Sequence, residues 1–293
     1  MNLFRPSSLL TFFSLSLLVS TAFVGISSAE TIPSVSEKEP EPYTFPWVGE
    51  ELYYSIRING AEAMRAGIRS GEIRHRENGP SYVPINAMAQ SRGFFNAIYP
   101  LDDRANTFLS PTTFQPLRSE KVFDEAGKLR SYLVDYRQSS FEARVERERE
   151  NRSTRFSAPI PGATHDMLTW FYALRSLRGL AIGDQFSFYI YDGWLVSRLD
   201  LEVVGAEDLL TPMGWFKTWR ISFSREIMNV RSGGVDENGL LRPPNVTVRE
   251  RARHSGLLWF SRDENLLPVR ATISTMLGSG EALLIRYQPG EER

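Results

Sequence analysis

A single stretch with helical periodicity, residues 164–180, stands in a chain that otherwise alternates apolar and polar residues over short segments. Its apolar side chains recur every three or four residues and form one stripe along a helix. The stripe consists of Met167, Trp170, Phe171, Leu174 and Leu177. Thr164 is predicted to cap the helix, and Gly179 is predicted to end it in a left-handed conformation. Such an apolar face needs a broad partner surface, which predicts a helix packed on a sheet.

About a dozen short segments on both sides of this stretch have the two-residue periodicity of β-strands. The first, residues 47–58, is followed by Asn59-Gly60, a pair typical of a two-residue hairpin turn. The regular spacing predicts a mainly β protein with one large curved antiparallel sheet, either a half-barrel or an open barrel. One central amphipathic helix, about residues 164–178, is expected to pack on it. The alternative is a helix that links two β domains.

The first 29 residues have the pattern of a secretory signal peptide. Arg5 precedes an apolar run over residues 9–26, and Ser27-Ser28-Ala29 places small residues where signal peptidase cuts. An uncleaved membrane anchor is the alternative, although serine and threonine dilute the run. Residues 30–46 are rich in proline and charge and are predicted to form a disordered tether. Residues 47–290 are then expected to form a single β-rich domain.

The composition limits which cellular compartment and which classes of partner are expected for the protein. The chain has no cysteine, so neither a disulfide nor a lipid-modified cysteine is possible and the core alone must hold the fold. The formal net charge of −1 argues against a nucleic-acid groove or a basic membrane patch. No segment after the signal peptide is long and apolar enough to cross a bilayer. The sequence predicts a soluble protein exported to the periplasm of a Gram-negative bacterium, with no nucleic-acid partner.

Residue patterns typical of catalysis are scarce. The histidines His75, His165 and His254 lack metal-binding spacing, and no GxSxG motif occurs. We therefore assign no catalytic residue, no metal site and no cofactor, and a non-enzymatic protein is favoured. His165 is expected to be a surface or capping residue. Asp102 and Asp103 should point to opposite faces of a strand, so they do not form an acid–base pair by themselves.

Three polar residues remain candidates for a site: Asp103, Arg104 and Arg118. Asp103 is expected either to pair with an arginine such as Arg118, which would fix the strand register, or to act as a binding-site carboxylate. The dense Arg/Glu run over residues 142–155 is better explained as a solvated, self-paired strand pair than as an anion-binding site.

Aromatic and other large apolar residues are numerous enough either to fill the core or to line a cavity. Cavities that bind small or lipidic ligands are usually apolar with few polar groups. The candidate ligand-binding residues are Phe94, Phe95, Tyr99, Met167, Trp170, Phe171, Leu174, Trp215 and Trp259.

Several segments, in order and spacing, resemble the bacterial exported family called domain of unknown function 3108 (DUF3108). They are Gly49-Glu50 with Leu52-Tyr53-Tyr54; residues 91–94, 98–100, 103–104 and 116–118 with Lys121; residues 166–168 and 172–175; Gly183-Asp184; residues 211–216; and residues 258–263 and 267–270. The resemblance covers residues 47–287, and the loop over residues 226–245 looks longer than the family pattern. It implies an exported, mostly antiparallel β fold, similar to the open half-barrel of periplasmic lipoprotein carriers. It implies no activity.

Two functions from different classes follow. The first is a periplasmic binding or carrier protein that holds an apolar or amphiphilic ligand, such as a lipid, between the curved sheet and the helix. The second is a structural or protein-interaction module of the cell envelope whose core is fully packed. A cavity beneath the helix distinguishes the two.

Overall fold

The fold is described from a computed structural model that covers residues 45–77, 79–150, 152–250, 255–275 and 278–290. The predicted signal peptide and the predicted tether up to residue 44 lie outside these residues. The tether was predicted to reach Pro46, but Phe45 is buried in the main core, where its ring packs against Trp47 and Tyr172. The folded part therefore includes Phe45, because its aromatic side chain fills space beside the helix.

The described residues form seventeen strands and two α-helices. The strands are β1 Glu51–Ile58, β2 Ala61–Ser70, β3 Arg74–Arg76, β4 Gly79–Ser91, β5 Leu101–Leu109, β6 Pro116–Glu125, β7 Lys128–Arg137, β8 Glu142–Arg149, β9 Arg152–Pro159, β10 Thr164–His165, β11 Gln185–Tyr191, β12 Val196–Thr211, β13 Gly214–Arg231, β14 Asn245–Glu250, β15 Ser255–Ser261, β16 Pro268–Thr275 and β17 Gly278–Gln288. The helices are α1 Gly93–Ile98 and α2 Thr169–Ser176, and a 3-10 turn covers Gln138–Ser140.

All seventeen strands belong to one sheet in which sequence neighbours pair antiparallel almost throughout. The first and last strands, β1 and β17, pair with each other in the middle of the sheet. From this seam the sheet runs through β2, β4, β5, β6, β7 and β8 to β9 on one side, and through β16, β15, β13, β12 and β11 to β10 on the other. β10 pairs in parallel with β11. The predicted large antiparallel sheet is thus confirmed.

The two ends of this sheet fold towards each other without closing. Among the described residues no pairing joins β9 to β10, although only residues 160–163 separate them in the chain. Instead the faces pack: the hydroxyl of Tyr136 on β7 donates to the carbonyl of Tyr191 on β11 at 2.6 Å. A buried cluster that includes Val134, Val145 and Val196 fills the space between the two ends. The result is an open, barrel-like sheet.

The hairpin predicted at Asn59-Gly60 is confirmed. β1 and β2 pair up to Ile58 and Ala61, which leaves a two-residue loop. Both loop residues have positive φ, 50° at Asn59 and 85° at Gly60, as the tight turn that matches strand twist requires.

The helix differs from the prediction in its length and in its burial. Residues 164–165 are the short strand β10, and α2 begins five residues later than predicted, at Thr169. Thr164 is therefore not the helix cap. The carboxylate of Asp166 accepts the N–H groups of Leu168 and Thr169 at 3.0 and 2.9 Å, which satisfies donors that the helix leaves free. Gly179 has the predicted positive φ of 67°, but the helix has already ended at Ser176.

Six of the eight residues of α2 are buried, including Arg175. A helix that covers a sheet from outside would bury one stripe only. α2 is surrounded because it lies in the main core cluster, together with residues from β1, β4, β5, β12, β13 and β15. The predicted amphipathic helix, packed on the sheet through one apolar stripe, is thus not confirmed in that form.

Of residues 226–245, only residues 232–244 lie between two named strands. Residues 226–231 continue β13 and pair with β12 and β14, and β14 begins at Asn245. Val230 packs against the cluster between the sheet ends, which explains why β13 continues beyond the charged residues Arg225 and Glu226.

Candidate functional site

A cavity of about 200 Å³ lies between the N-terminal half of α2 and the inner face of the sheet. The helix side is formed by Met167, Leu168, Trp170 and Phe171. The sheet side comes from β1, β2, β4, β15, β16 and β17, close to the seam where the first and last strands pair.

Small side chains create this space. Opposite the large residues on the helix side, five sheet residues of the lining are alanines, so the wall is set back where they lie. These residues are Ala66, Ala87, Ala89, Ala271 and Ala282. Protein interiors normally interdigitate at high density, and small residues concentrated on one wall leave a gap.

The polar side chains in the lining of the cavity, Tyr54 and Arg270, already bond other groups of the protein. The hydroxyl of Tyr54 donates to the carbonyl of Pro268 at 2.9 Å, and burial raises the pKa of Tyr54 well above its ordinary value, so the ring stays neutral. The guanidinium of Arg270 bonds Glu281 at 2.7 Å and lies 4.7 Å from the centre of the Trp259 ring. The remaining lining is apolar, so the cavity is suited to hydrocarbon rather than to a charged group.

Three of the nine predicted ligand-binding residues line this cavity: Met167, Trp170 and Phe171. Leu174, one turn further along α2, is fully buried in the packed core. Trp259 does not line the cavity, because alternation along β15 directs Leu258 and Phe260 towards it. The indole N–H of Trp259 instead donates to the Glu207 carboxylate.

The other predicted apolar residues lie elsewhere. Phe95 and Tyr99, within and just after α1, pack against a cluster that contains Ile56 and Ala89, which also line the cavity, so α1 is a neighbour of the cavity and not part of its wall. Phe94 is 76% exposed on α1, and Trp215 is 71% exposed near the β12–β13 turn. Sequence alternation alone did not separate these exposed rings from the buried ones.

The polar candidates do not meet in one place. Asp103 is buried on the inner face of β5, whereas the exposed side chain of Arg104 pairs with Asp102 at 2.9 Å. Arg118 holds Asp135 through two hydrogen bonds of 2.6 and 3.0 Å, so the expected Asp103–Arg118 pair is wrong. The reason is register: Arg118 lies directly opposite Asp135 on β7.

Sequence reasoning missed two ion pairs buried in the core. Arg175 of α2 binds both carboxylate oxygens of Glu50 at 2.6 Å, and both side chains are fully buried. Lys121 of β6 binds Asp192 at 2.9 Å. Each pair joins residues far apart in sequence, so no local pattern reveals it. The one available signal was that Glu50, Lys121 and Arg175 all lie in segments that carry the family resemblance.

The histidine just before α2 lies inside the fold. His165 is buried, contrary to the expectation of a surface or capping residue, because β10 directs it inward against Phe188. Burial lowers its pKa to about 4, and its ring nitrogen Nδ1 lies 3.2 Å from the Thr169 hydroxyl. Among the described residues no three His, Asp or Glu side chains are placed to hold a metal ion.

Comparison with known proteins now connects this fold to a family. The profile described as "Protein of unknown function (DUF3108)" matches residues 53–285. The chain belongs to this family. The match includes the strands that line the cavity and all of α2. No curated protein matches the chain at a significant level.

The fold also has a counterpart among solved structures. A β-barrel-like protein of the family DUF1849 from Brucella abortus aligns with a TM-score of 0.50 at 10% identity, covering 84% of this chain and 99% of that one. A protein from Bacteroides fragilis, described as exported with a YmcC-like fold, aligns at 9% identity with a TM-score of 0.31, covering 82% and 96%. A Parabacteroides distasonis protein described as a lipoprotein aligns at 12% identity with a TM-score of 0.32, covering 84% and 97%. The first supports a barrel-like fold, and the other two carry no argument.

In the part of the chain that the structure describes, no helix is long and apolar enough to cross a membrane.

Proposed function

We propose that this DUF3108 protein is an exported binding protein that takes up the hydrocarbon part of an apolar or amphiphilic ligand between α2 and the sheet. The observation that supports the proposal is the cavity of about 200 Å³ beside Met167, Trp170 and Phe171. A packed core, which the competing structural-module hypothesis expects, leaves few voids larger than a water molecule. Export itself stays a prediction from the N-terminal sequence.

The size of the cavity limits the ligand. Cavities for drug-sized ligands measure about 300–1,000 Å³, and an apolar cavity of about 150 Å³ binds benzene. A cavity of about 200 Å³ therefore suits one short alkyl segment or a small ring, and a lipid with two chains is too large for it. Because Arg270 is already paired with Glu281, a charged headgroup would remain outside.

A cavity-filling variant tests the proposal directly. Ala66→Leu places a large side chain into the cavity, and we expect it to weaken the binding of 1-octanol at least tenfold in isothermal titration calorimetry. Its free energy of unfolding should stay within about 1.5 kcal/mol of the wild type, since the added atoms fill a void. Ala206→Leu, the same change at an exposed position of β12, is the matched control and should bind octanol as the wild type does.

Either of two results would overturn the proposal. Equal octanol affinity of the wild type and Ala66→Leu would place the ligand elsewhere. Absence of octanol binding to the wild type, together with no amphiphile in native mass spectra of the exported protein, would favour the envelope interaction module instead.

A further inference from the structure

The hairpin of β12 and β13 extends beyond the rest of the sheet. On one side, β11 pairs with β12 no further than Glu202; on the other, β15 pairs with β13 only from Thr218 onward. The tip, residues 209–216, therefore has no paired neighbour strand among the described residues. β13 begins at Gly214, four residues before its first residue paired with β15, Thr218. At the rise of a strand, this unpaired part of β13 is about 13 Å long.

Both faces of this tip are apolar. The cross-strand pair Leu209 and Phe216 packs inward on the main core cluster. The next pair, Leu210 and Trp215, points the other way and is 61% and 71% exposed. Met213 in the turn is exposed as well. The inner pair fixes the tip to the core, so the outer residues are presented on a rigid support.

The tip carries no charge over its eight residues, which read LLTPMGWF. The first charged residues are Asp208 and Lys217, which lie opposite each other at its base. Within the turn, the N–H of Met213 bonds the Thr211 hydroxyl at 3.1 Å, and that hydroxyl donates to the Gly214 carbonyl at 3.1 Å. The polar atoms of the turn are thus partly satisfied within it, which lowers the cost of taking it out of water.

We propose that the tip formed by Leu210, Met213 and Trp215 inserts into the interfacial zone of a lipid bilayer. Three side chains expose a few hundred Å² at most, whereas a stable protein interface takes about 800 Å² from each partner. A membrane surface has no such minimum, and tryptophan prefers the boundary between headgroups and acyl chains. Segments that lie in this zone enter it by about 5–10 Å, which the projecting tip reaches while the sheet stays outside.

This proposal rests on the hairpin alone and does not depend on ligand binding in the cavity. The test is flotation of the protein, purified in the form the cell exports, with phosphatidylcholine vesicles, with and without phosphatidylglycerol. We expect Leu210→Ser/Trp215→Ser to lower the bound fraction at least fivefold without changing the melting temperature, because both side chains are exposed. Phe94→Ser/Ile98→Ser removes two exposed apolar residues from α1 and should bind as the wild type does.

Tryptophan quenching identifies which residue enters the membrane. With vesicles whose acyl chains carry bromine, wild-type fluorescence should fall, and Trp215→Phe should abolish that fall while keeping most of the binding. The proposal is overturned if the wild type does not float with either vesicle, if the tip variant floats equally well, if the α1 variant loses as much, or if quenching persists in Trp215→Phe.

Discussion

Arg175 and Glu50 form an ion pair from which water is excluded. Burial opposes the charge on Arg175, but the hydrogen bonds and the charge of Glu50 outweigh it, and the pKa of Arg175 is raised. The guanidinium also lies 4.3 Å from the ring centre of Trp47 and donates to the carbonyl of Asn265. These contacts connect α2 to Glu50, the residue just before β1, and to the turn between β15 and β16.

Removing one member of this pair should be costly. Arg175→Met leaves the Glu50 carboxylate buried without its cation, and we expect a loss of about 3–5 kcal/mol in the free energy of unfolding, measured with urea. Arg198→Met, at a partly exposed pair with Glu226, should cost about 1 kcal/mol or less. A double variant, Glu50→Leu/Arg175→Met, should recover part of the loss; a double variant less stable than Arg175→Met would contradict this account.

The burial of His165 predicts how the free energy of unfolding depends on pH. Its pKa is about 4 in the folded protein and about 6.5 when unfolded. The unfolded chain therefore binds a proton first as the pH falls, so the stability that neutral His165 supports is complete above pH 6.5 and is lost between 6.5 and 4. Between pH 7 and 5 this amounts to about 2 kcal/mol.

His165→Asn keeps an acceptor near Thr169 but does not titrate in this range. The difference in unfolding free energy between the wild type and this variant should change by about 2 kcal/mol between pH 7 and 5, in favour of the variant at pH 5. Buried carboxylates contribute equally to both proteins and cancel. A difference that is constant with pH would show that His165 is not held neutral.

At the scale of the helix, the start of α2 is set by Asp166 rather than by Thr164. One carboxylate oxygen of Asp166 accepts two N–H groups at the start of the helix, and the other accepts the Thr107 hydroxyl at 2.5 Å. The same residue thus begins the helix and joins it to β5.

Two substitutions separate these roles in urea unfolding. Asp166→Ala should cost about 2 kcal/mol or more, since it removes the cap and leaves the Thr107 hydroxyl without its acceptor. Thr164→Val removes one buried hydroxyl that donates to Pro161 and should cost about 1 kcal/mol. A larger loss of unfolding free energy in Thr164→Val than in Asp166→Ala would show that Thr164 is the residue that caps the helix.

Strand positions were predictable from sequence where one face is buried. The hairpin turn expected at Asn59-Gly60, which follows the alternating segment of residues 47–58, lies between β1 and β2 as predicted. β9 overlaps the charged run over residues 142–155 and is not distinguished from it by sequence, because six of its eight residues are exposed and show no alternation. The predicted start of α2 is wrong because Thr164, a residue type typical of helix caps, belongs to β10 and is buried by the sheet.

The cavity was only partly predictable for a related reason. The large residues on the helix side, Met167 just before α2 and Trp170 and Phe171 within it, follow from the predicted helical stripe. The alanines opposite them come from four strands, and which of those strands face the helix depends on the order of the whole sheet. Trp215 resembled a core ring in sequence, since nothing local shows that its hairpin extends past its neighbours.

At the scale of the molecule, the three buried clusters share strands. β1 contributes Leu52 to the main cluster and Ile56 to the one beside α1, and β12 contributes Leu199 to the main cluster and Val196 to the one between the sheet ends. Neither β1 nor β12 can detach from the sheet without disrupting two clusters. We therefore expect residues 47–290 to unfold as one domain.

Urea unfolding followed by far-ultraviolet circular dichroism and by tryptophan fluorescence should therefore give coincident single transitions. The fluorescence reports on Trp47 and Trp170 in the main cluster and on Trp194 beside Tyr132. Separate midpoints for the two signals would show that the sheet contains independent units, as in the alternative of two β domains.

The seam between β1 and β17 also determines when folding can finish. β1 gains its first neighbour, β2, as soon as the hairpin at residues 59–60 is made, but Glu51 pairs with Gln288 on its other edge. In a chain that is synthesised at about 5–20 residues per second, that partner appears only tens of seconds later. Pairings of such large sequence separation fold slowly. Until β17 arrives the cavity has no complete wall, so the protein reaches its native state only after the whole chain is made.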